Sequence, residues 1–531
     1  MMDLAQGGPA TALGVPSIDV AAVLPLLIVF TAGAVGVLLE AVLPRNQRWP
    51  AQVALSLTSV VGAGVALAVY VTGDFESTTT FRAEEASSGA LAVDTPALFL
   101  WGTLLVLGLL ALLLIADRSV EPGGAFVSKA ALRGGAAGGT DTLTKEQTFT
   151  GMQTEVFPLT LFALGGMMTF CAANDLLTMF IALEVLSLPL YLMCGLARRR
   201  RLISQEAAVK YFLLGAFASA FFLYGLGLLY GYAGSVKLAD IAVAAQGTDR
   251  SDTLLFAGLG LLAIGLLFKG SVGPFHTWTP DVYQGAPTPV TAFMAACTKV
   301  AAFGGLLRVL TVSFESTSWE WRSVLSVVAV VSMAIGAILG LTQRDVKRMI
   351  AYSSIAHAGF LVVGAMALTE DGLSATLFYL LAYGFTTLAA FGVVSLVRDS
   401  SGEATDLSAW AGLAKRSPLV AATFTVLLLA LAGIPLTSGF VGKFAVFEAA
   451  LSDGMAPLVV IALVASAIAA FYYLRVVVLM YFSEPAPDGP AVTVPGVFTT
   501  TAIAVGTIAT LVLGIVPTFA LDWASAGGFV F

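Results

Sequence analysis

Charge is scarce in this chain of 531 residues: only 11% are Asp, Glu, Lys or Arg, against 58% hydrophobic, and the mean hydropathy is +0.92. A soluble protein of this length would form three or four domains, and the composition excludes that reading. The chain belongs in lipid, with room for roughly a dozen helices of about 20 residues each. Its polar sequence is too scattered to fold a separate soluble domain. Metal-binding residues are scarce as well. Histidine occurs twice, and the three cysteines, Cys171, Cys194 and Cys297, lie in apolar runs with no Cys-x-x-Cys pair, which excludes an iron–sulfur cluster, haem or structural zinc built by this chain alone. With 26 basic against 33 acidic residues the net charge is −7, so there is no basic surface for nucleic acid. The first 19 residues hold no Lys or Arg; without a basic n-region no cleaved signal peptide is expected, and the first apolar run should remain in the mature protein.

What is present is apolar sequence in long runs. Fourteen candidate helices fall near 20–43, 51–72, 91–116, 156–173, 175–196, 207–232, 253–284, 287–311, 321–341, 348–368, 373–397, 418–451, 455–482 and 494–521. The runs are too long for barrel strands and lack period-2 alternation. The expected fold class is therefore an all-α polytopic membrane protein of about 14 transmembrane helices. Loop charge tests that count. If the N-terminus faces outward, sixteen basic residues fall on inner loops: Arg45 and Arg48; Arg118, Lys129, Arg133 and Lys145; Arg198 to Arg201; Arg344, Lys347 and Arg348; Arg398, Lys415 and Arg416. Four fall outside, Arg82, Lys237, Arg250 and Arg322. This bias predicts both termini on the outer face. The cluster Arg198 to Arg201 reads as a topology anchor, and the Gly-, Ala- and Thr-rich stretch 117–154 as a flexible inner loop.

Helices seven and twelve exceed 30 residues and are interrupted at mid-depth, by Lys269-Gly270-Ser271-Val272-Gly273-Pro274 and by Gly433-Ile434-Pro435-Leu436-Thr437-Ser438-Gly439. Each broken helix is fourth in a run of five, helices 4 to 8 and 9 to 13. Five is odd, so the second run crosses in the opposite sense. That is the pattern of two inverted five-helix repeats, each with a discontinuous helix, by which transporters place an ion site at the midplane. The expected organisation is residues 1–154 (helices 1–3 and inner loop), 155–311 (first repeat), 312–483 (second repeat) and 484–531 (helix 14).

A charge at the bilayer centre costs at least about 2.5 kcal/mol, so each needs a partner or a task. Four stand out: Glu184 in helix five, Lys269 at the break of helix seven, Lys299 central in helix eight, and Lys443 after the break of helix twelve. Burial weakens a lysine's hold on its proton and a nearby carboxylate strengthens it, so moving Glu184 relative to Lys269 would switch that lysine between proton holder and proton donor. Arginine does not serve, because it effectively never deprotonates. The alternative is that each lysine snorkels or makes a buried ion pair that only positions helices. Lys210, a turn inside helix six, is a candidate for proton uptake, with snorkelling as its alternative. Tyr352, Ser353, Ser354 and His357 suit a water chain along helix ten, and Glu448 suits proton release or is a loop carboxylate. His276 follows the break and either titrates or caps a half-helix. Arg475, Arg308 and Glu40 read as anchors near helix ends.

The stretch from Phe268-Lys269-Gly270 through Phe275-His276-Thr277-Trp278-Thr279-Pro280-Asp281-Val282-Tyr283-Gln284-Gly285-Ala286-Pro287 to Val290, with Thr298-Lys299 after it, resembles the signature of the antiporter-like subunits of respiratory complex I, in the form of subunit N. Gly433-Ile434-Pro435 through Gly439-Phe440-Val441-Gly442-Lys443-Phe444 is similar to the same branch, since it keeps lysine in helix twelve where subunit M usually has glutamate. The likeness runs from helix four to helix thirteen. It implies that Glu184 tunes Lys269, that Lys299 is the central lysine, and that Lys443 faces the outer half-channel. It also implies a bacterial plasma membrane, other membrane-arm subunits, lipid, protons and internal water as partners, and no cofactor in this chain. NADH, FMN, iron–sulfur clusters and quinone would belong to other subunits. Two other readings stay open, a subunit of a multi-subunit cation/proton antiporter and a non-pumping scaffold whose buried charges only hold helices together.

Overall fold

The computed structural model describes residues 17–73, 76–82, 88–120, 153–197, 201–247, 252–399, 402–485 and 489–530. Most of the glycine-rich 117–154 stretch, the arginines at 198–200, the side chain of Arg201, and Lys129, Arg133, Lys145 and Arg250 lie outside the described residues.

Among the described residues twelve helices are long and apolar enough to cross a membrane. In chain order the passes begin with α1 (Val20–Val42), α2 (Arg45–Thr72), α3 (Thr95–Ala116), α4 (Val156–Ala172), α5 (Leu176–Cys194) and α6 (Arg201–Ala233). Then come the broken α7 (α7a, Asp252–Lys269; α7b, Trp278–Gly285), α8 (Thr288–Ser313), α9 (Ser318–Leu341), α10 (Val346–Met366) and α11 (Glu370–Leu396). The broken α12 (α12a, Pro418–Ala432; α12b, Ser438–Ser452), α13 (Ala456–Phe482) and α14 (Val497–Ile515) complete the bundle. The two passes outside the twelve are α4, at 17 residues, and α12, whose halves are each too short alone. The fold is thus a polytopic all-α membrane fold with discontinuous helices.

Caps fix where several passes begin. Asp19, Asp94, Asp175, Asp345 and Thr369 each accept a bond from a backbone N–H in the first turn of α1, α3, α5, α10 and α11, satisfying donors that lipid cannot. Small residues then let helices approach. A Cβ on Gly336 would collide with the Ala356 backbone nitrogen, so glycine is what lets α9 and α10 approach there.

The connections sort onto two faces. On one, Arg118 lies over the Trp49 ring, Asp117 accepts from the Thr499 N–H, and Lys210 pairs with Asp281. On that same face the Val346 N–H donates to the Thr405 carbonyl and β1 (Val397–Asp399) pairs with β2 (Gly402–Glu403) and β3 (Ala491–Val492). On the other face Ser17 bonds Arg82, Asn174 bonds Ala90, Leu176 bonds Val236, Arg322 pairs with Asp453, and the Val530 N–H reaches Asp94. Odd-numbered connections therefore share one face. Both described ends of the chain share the other, as an even number of passes requires. Short strands in the connections and an eight-residue helix, Leu238–Ala245, are additions to the purely helical expectation.

Candidate functional site

Both breaks are built the same way. Helix α7a stops at Lys269, and Ser271 follows with φ 61°; α12a stops at Ala432, followed by Gly433 at φ 84° and Leu436 at φ 70°. Two of the three non-glycine residues with positive φ among the described residues thus sit at the breaks, and backbone held there in a sparsely populated region is a mark of functional sites. Each half-helix ends in carbonyls without intrahelical donors and carries a partial negative charge at that end. Buried ammonium groups meet them. Lys299 Nζ donates to the Gly270 carbonyl at 3.0 Å and to the Ser354 carbonyl at 3.0 Å. Lys443 Nζ donates to the carbonyls of Leu431 and Ala432 at 2.9 and 3.0 Å and to Ser466 Oγ at 3.0 Å.

Lys269 itself is 3% exposed. Its ammonium donates to Ser187 Oγ at 2.7 Å and Tyr211 Oη at 3.1 Å and lies near the faces of Tyr191 and Tyr211. Ser187 stands one turn after Glu184 on α5 and donates to the Leu183 carbonyl. Glu184 is half-buried, and its Oε1 is buried with no hydrogen-bond partner among the described residues. The carboxylate thus sits one turn from the serine that holds Lys269, a spacing suited to a switch rather than a closed ion pair.

Lys299 follows a π-helical segment, Met294–Thr298, a distortion frequent at functional sites. Between Lys299 and Lys443 lies a polar aromatic cluster. His357 is buried, with Nδ1 2.6 Å from Tyr379 Oη and Nε2 3.4 Å from Tyr473 Oη; Tyr473 Oη in turn bonds Ser353 Oγ. The Tyr383 ring is 5.6 Å from Lys299 Nζ, and the Phe360 ring 5.3 Å from Lys443 Nζ. The structure therefore brings Glu184, Lys269, Lys299, His357 and Lys443 into one row. Tyr211, Tyr379 and Tyr473 complete that row and were not picked out from sequence; aromatic residues are too common in membrane helices to signal it.

The outlying candidates separate from the row. Lys210 is partly exposed and pairs with Glu206 at 2.6 Å and Asp281 at 2.7 Å, while Arg348 takes the second Asp281 oxygen at 2.7 Å. It is one residue before Tyr211, which contacts Lys269. Glu448 is exposed and lines an open acidic pocket of about 350 Å³ with Asp371 and Asp522. His276 is buried near Tyr352, with Nδ1 lacking a partner among the described residues.

Two residues read as peripheral are central to packing. Arg308 is fully buried and forks onto both oxygens of Asp94 at 2.9 and 2.8 Å, and its Nε donates to the Cys171 carbonyl. Lys347, counted with the inner-loop charges, is also buried. Glu40 pairs with Arg48 at 3.3 Å and accepts from Gln52. Among the described residues no group of three or more His, Cys, Asp or Glu is placed to hold a metal ion.

Residues 173–469 match the family described as NADH:quinone oxidoreductase/Mrp antiporter, TM. The chain is 73% identical over 515 residues to NADH-quinone oxidoreductase subunit N of Saccharopolyspora erythraea, spanning 97% of this chain and 99% of that one. It is 51% identical over 533 residues to subunit N of Mycobacterium bovis, spanning 96% and 98%. Among solved structures, a chain of respiratory complex I from Thermus thermophilus superposes with a TM-score of 0.74 at 33% identity, over 95% of this chain and all of that one. A chain of the Mrp complex from Dietzia gives 0.80 at 22% identity over 96% and 97%, a likeness of fold alone.

Proposed function

The chain belongs to the NADH-quinone oxidoreductase subunit N family, and we propose that Glu184, Lys269, Lys299 and Lys443 form the proton relay by which it contributes to that enzyme. It is a membrane-arm subunit of complex I in a bacterial membrane, working with other subunits that hold the redox centres. The observation that carries the relay is the link at the first break: Lys299 bonds the carbonyl of Gly270, the residue next to Lys269.

Each ammonium in the row is held by carbonyls or hydroxyls, which can accept its hydrogen bonds but cannot neutralise its charge. Loss of the proton removes the positive charge and one donor that face the carbonyl end of a half-helix, so protonation and the geometry of the break are coupled. Movement of Glu184 towards or away from Lys269 sets the first transfer. The proton passes to Lys299, then along Ser353, His357, Tyr379 and Tyr473 to Lys443, and leaves by Glu448 into the acidic pocket. Lys210, beside Tyr211, supplies Lys269.

The face that carries Arg118, Arg344, Arg348, Arg398, Lys415 and Arg416 is the inner one by the positive-inside rule, with both termini outside. Residues 155–311 and 312–483 are the two inverted repeats. In support, α4 starts from the basic face and α9 from the opposite one, and each run of five has its broken helix fourth. The antiporter reading has in its favour the shared fold and a family description that names both groups.

The test is to purify the chain with its native partners and measure NADH-driven quinone reduction together with acidification. Reduction and acidification must appear together, and both must fall when Lys299 is replaced in an assembled complex.

A further inference from the structure

Lys347 is 2% exposed although it lies in the first turn of α10 at the basic face. Its ammonium donates to the Ala286 carbonyl and to Thr288 Oγ1, both at 3.0 Å, and lies 3.6 Å from Glu403 Oε2. Thr288 Oγ1 donates to the same Glu403 oxygen at 2.6 Å, so the threonine bridges acid and base at the start of α8. Glu403 and Thr288 also line a narrow hollow of about 20 Å³ with Asp117, Ser395 and Arg398, room for about one water.

Helix α11 runs inward from this hollow. Ser395, Phe391, Thr387 and Tyr383 recur at four-residue intervals and so lie on one helical stripe, and Ser395 and Phe391 line the hollow. Tyr383 is the residue whose ring faces Lys299 Nζ. Its hydroxyl interacts with those of Thr387 and Ser354, but the contacts are too long or too bent to close a hydrogen bond, so the hydroxyls of Tyr383, Thr387, Ser354 and Thr298 are buried with none formed among the described residues. Buried unpartnered hydroxyls are costly and call for an explanation. Two of them belong to residues that touch Lys299, Tyr383 and Ser354; with Thr298 next to that lysine in the chain and Thr387 one turn along α11, they are what a water-filled proton lane needs.

We propose that Glu403, Thr288 and Lys347 form a second proton-uptake site on the basic face, which loads Lys299 through Thr387 and Tyr383, separately from Lys210 and Lys269. The inference rests on the relay reading above. Glu403 collects a proton from the basic face, Lys347 and Arg398 hold its charge, and Thr288 with water from the hollow passes the proton alongside the Phe391 ring, which takes no part in the transfer, to Thr387 and Tyr383. The proton moves as hydronium or along hydrogen bonds, so no other reactant is consumed.

The test uses the whole complex in uncoupled vesicles with variants Thr387→Val, Tyr383→Phe and Glu403→Gln. Removing an unpartnered buried hydroxyl leaves folding unchanged or improved, so a purely structural lane predicts normal turnover and an equal or higher Tm in the first two. The proposal predicts equal or higher Tm with NADH:quinone turnover down about tenfold or more, the scale of a lost proton-transfer group, and in Glu403→Gln partial recovery on adding imidazole as a mobile proton donor. Wild-type turnover in Thr387→Val and Tyr383→Phe would overturn the lane. If Lys299→Met also kept wild-type turnover and stoichiometry, the relay would fall with it; if only Lys299→Met were impaired, the lane alone would fall.

Discussion

Lys299 and Lys269 are joined through one backbone carbonyl: the ammonium of Lys299, on α8, donates to Gly270, the residue that follows Lys269 at the end of α7a. Lys443 repeats the relationship at the second break, bonding the last carbonyls of α12a. In both places a buried cation satisfies acceptors that a broken helix leaves open, so the break and the charge depend on each other.

Gly433 is the residue that gives Lys443 its place. Its φ of 84° is left-handed, and a Cβ there would come within 2.9 Å of Lys443 Cδ and 3.2 Å of Nζ. Gly433→Ala should therefore displace the ammonium and destabilise the chain by about 1–2 kcal/mol. The expected result is an assembled complex with proton transfer reduced more than thermal stability, measured as acidification rate against Tm.

The Arg308–Asp94 pair tests the opposite property, structure without transport. Both side chains are fully buried, and the Val530 N–H also donates to Asp94. Arg308→Met alone leaves a buried unpaired carboxylate and should cost about 3–5 kcal/mol, seen as loss of the subunit from purified complex. Arg308→Met combined with Asp94→Asn, which removes the buried charge and keeps an acceptor for the α3 cap, should recover much of that loss.

Acid sensitivity should come partly from Asp117, just beyond the end of α3. Burial pushes its carboxyl up, but bonds from the Ser119 hydroxyl and N–H and the Thr499 N–H outweigh burial and hold it below the ordinary 3.8. A folded value below the unfolded one means its stabilisation is complete above about pH 4 to 5 and is lost as pH falls through the folded value. Asp117→Asn should lower Tm at pH 7, and the difference from wild type should shrink on acidification.

The row of buried charges was legible because charge is so rare in the sequence that Glu184, Lys269, Lys299 and Lys443 each required explanation. The breaks were legible as Gly and Pro inside over-long apolar runs. What the sequence concealed was partnership. Arg308 looked like a helix-end anchor because its partner, Asp94, is 214 residues away. Lys347 looked like loop charge because burial at a helix start depends on neighbours distant in sequence, here Ala286, Thr288 and Glu403, not on local hydropathy. The hydroxyl partners Tyr211, Tyr379 and Tyr473 belong to residue types that membrane helices use everywhere, so only their meeting points single them out.

Ser187 separates two roles for Glu184. If Ser187 only holds Lys269, Ser187→Ala should weaken proton transfer while Glu184→Gln leaves it unchanged. The switch predicts the larger loss, about tenfold or more, in Glu184→Gln, because that variant removes the charge that controls the lysine. Single-turnover acidification in both variants compares them directly.

The most direct test of the relay is the number of protons moved per NADH in reconstituted complex carrying Lys269→Met, with every subunit present. The account predicts a stoichiometry or coupled turnover clearly below wild type. Wild-type stoichiometry at wild-type turnover would contradict it.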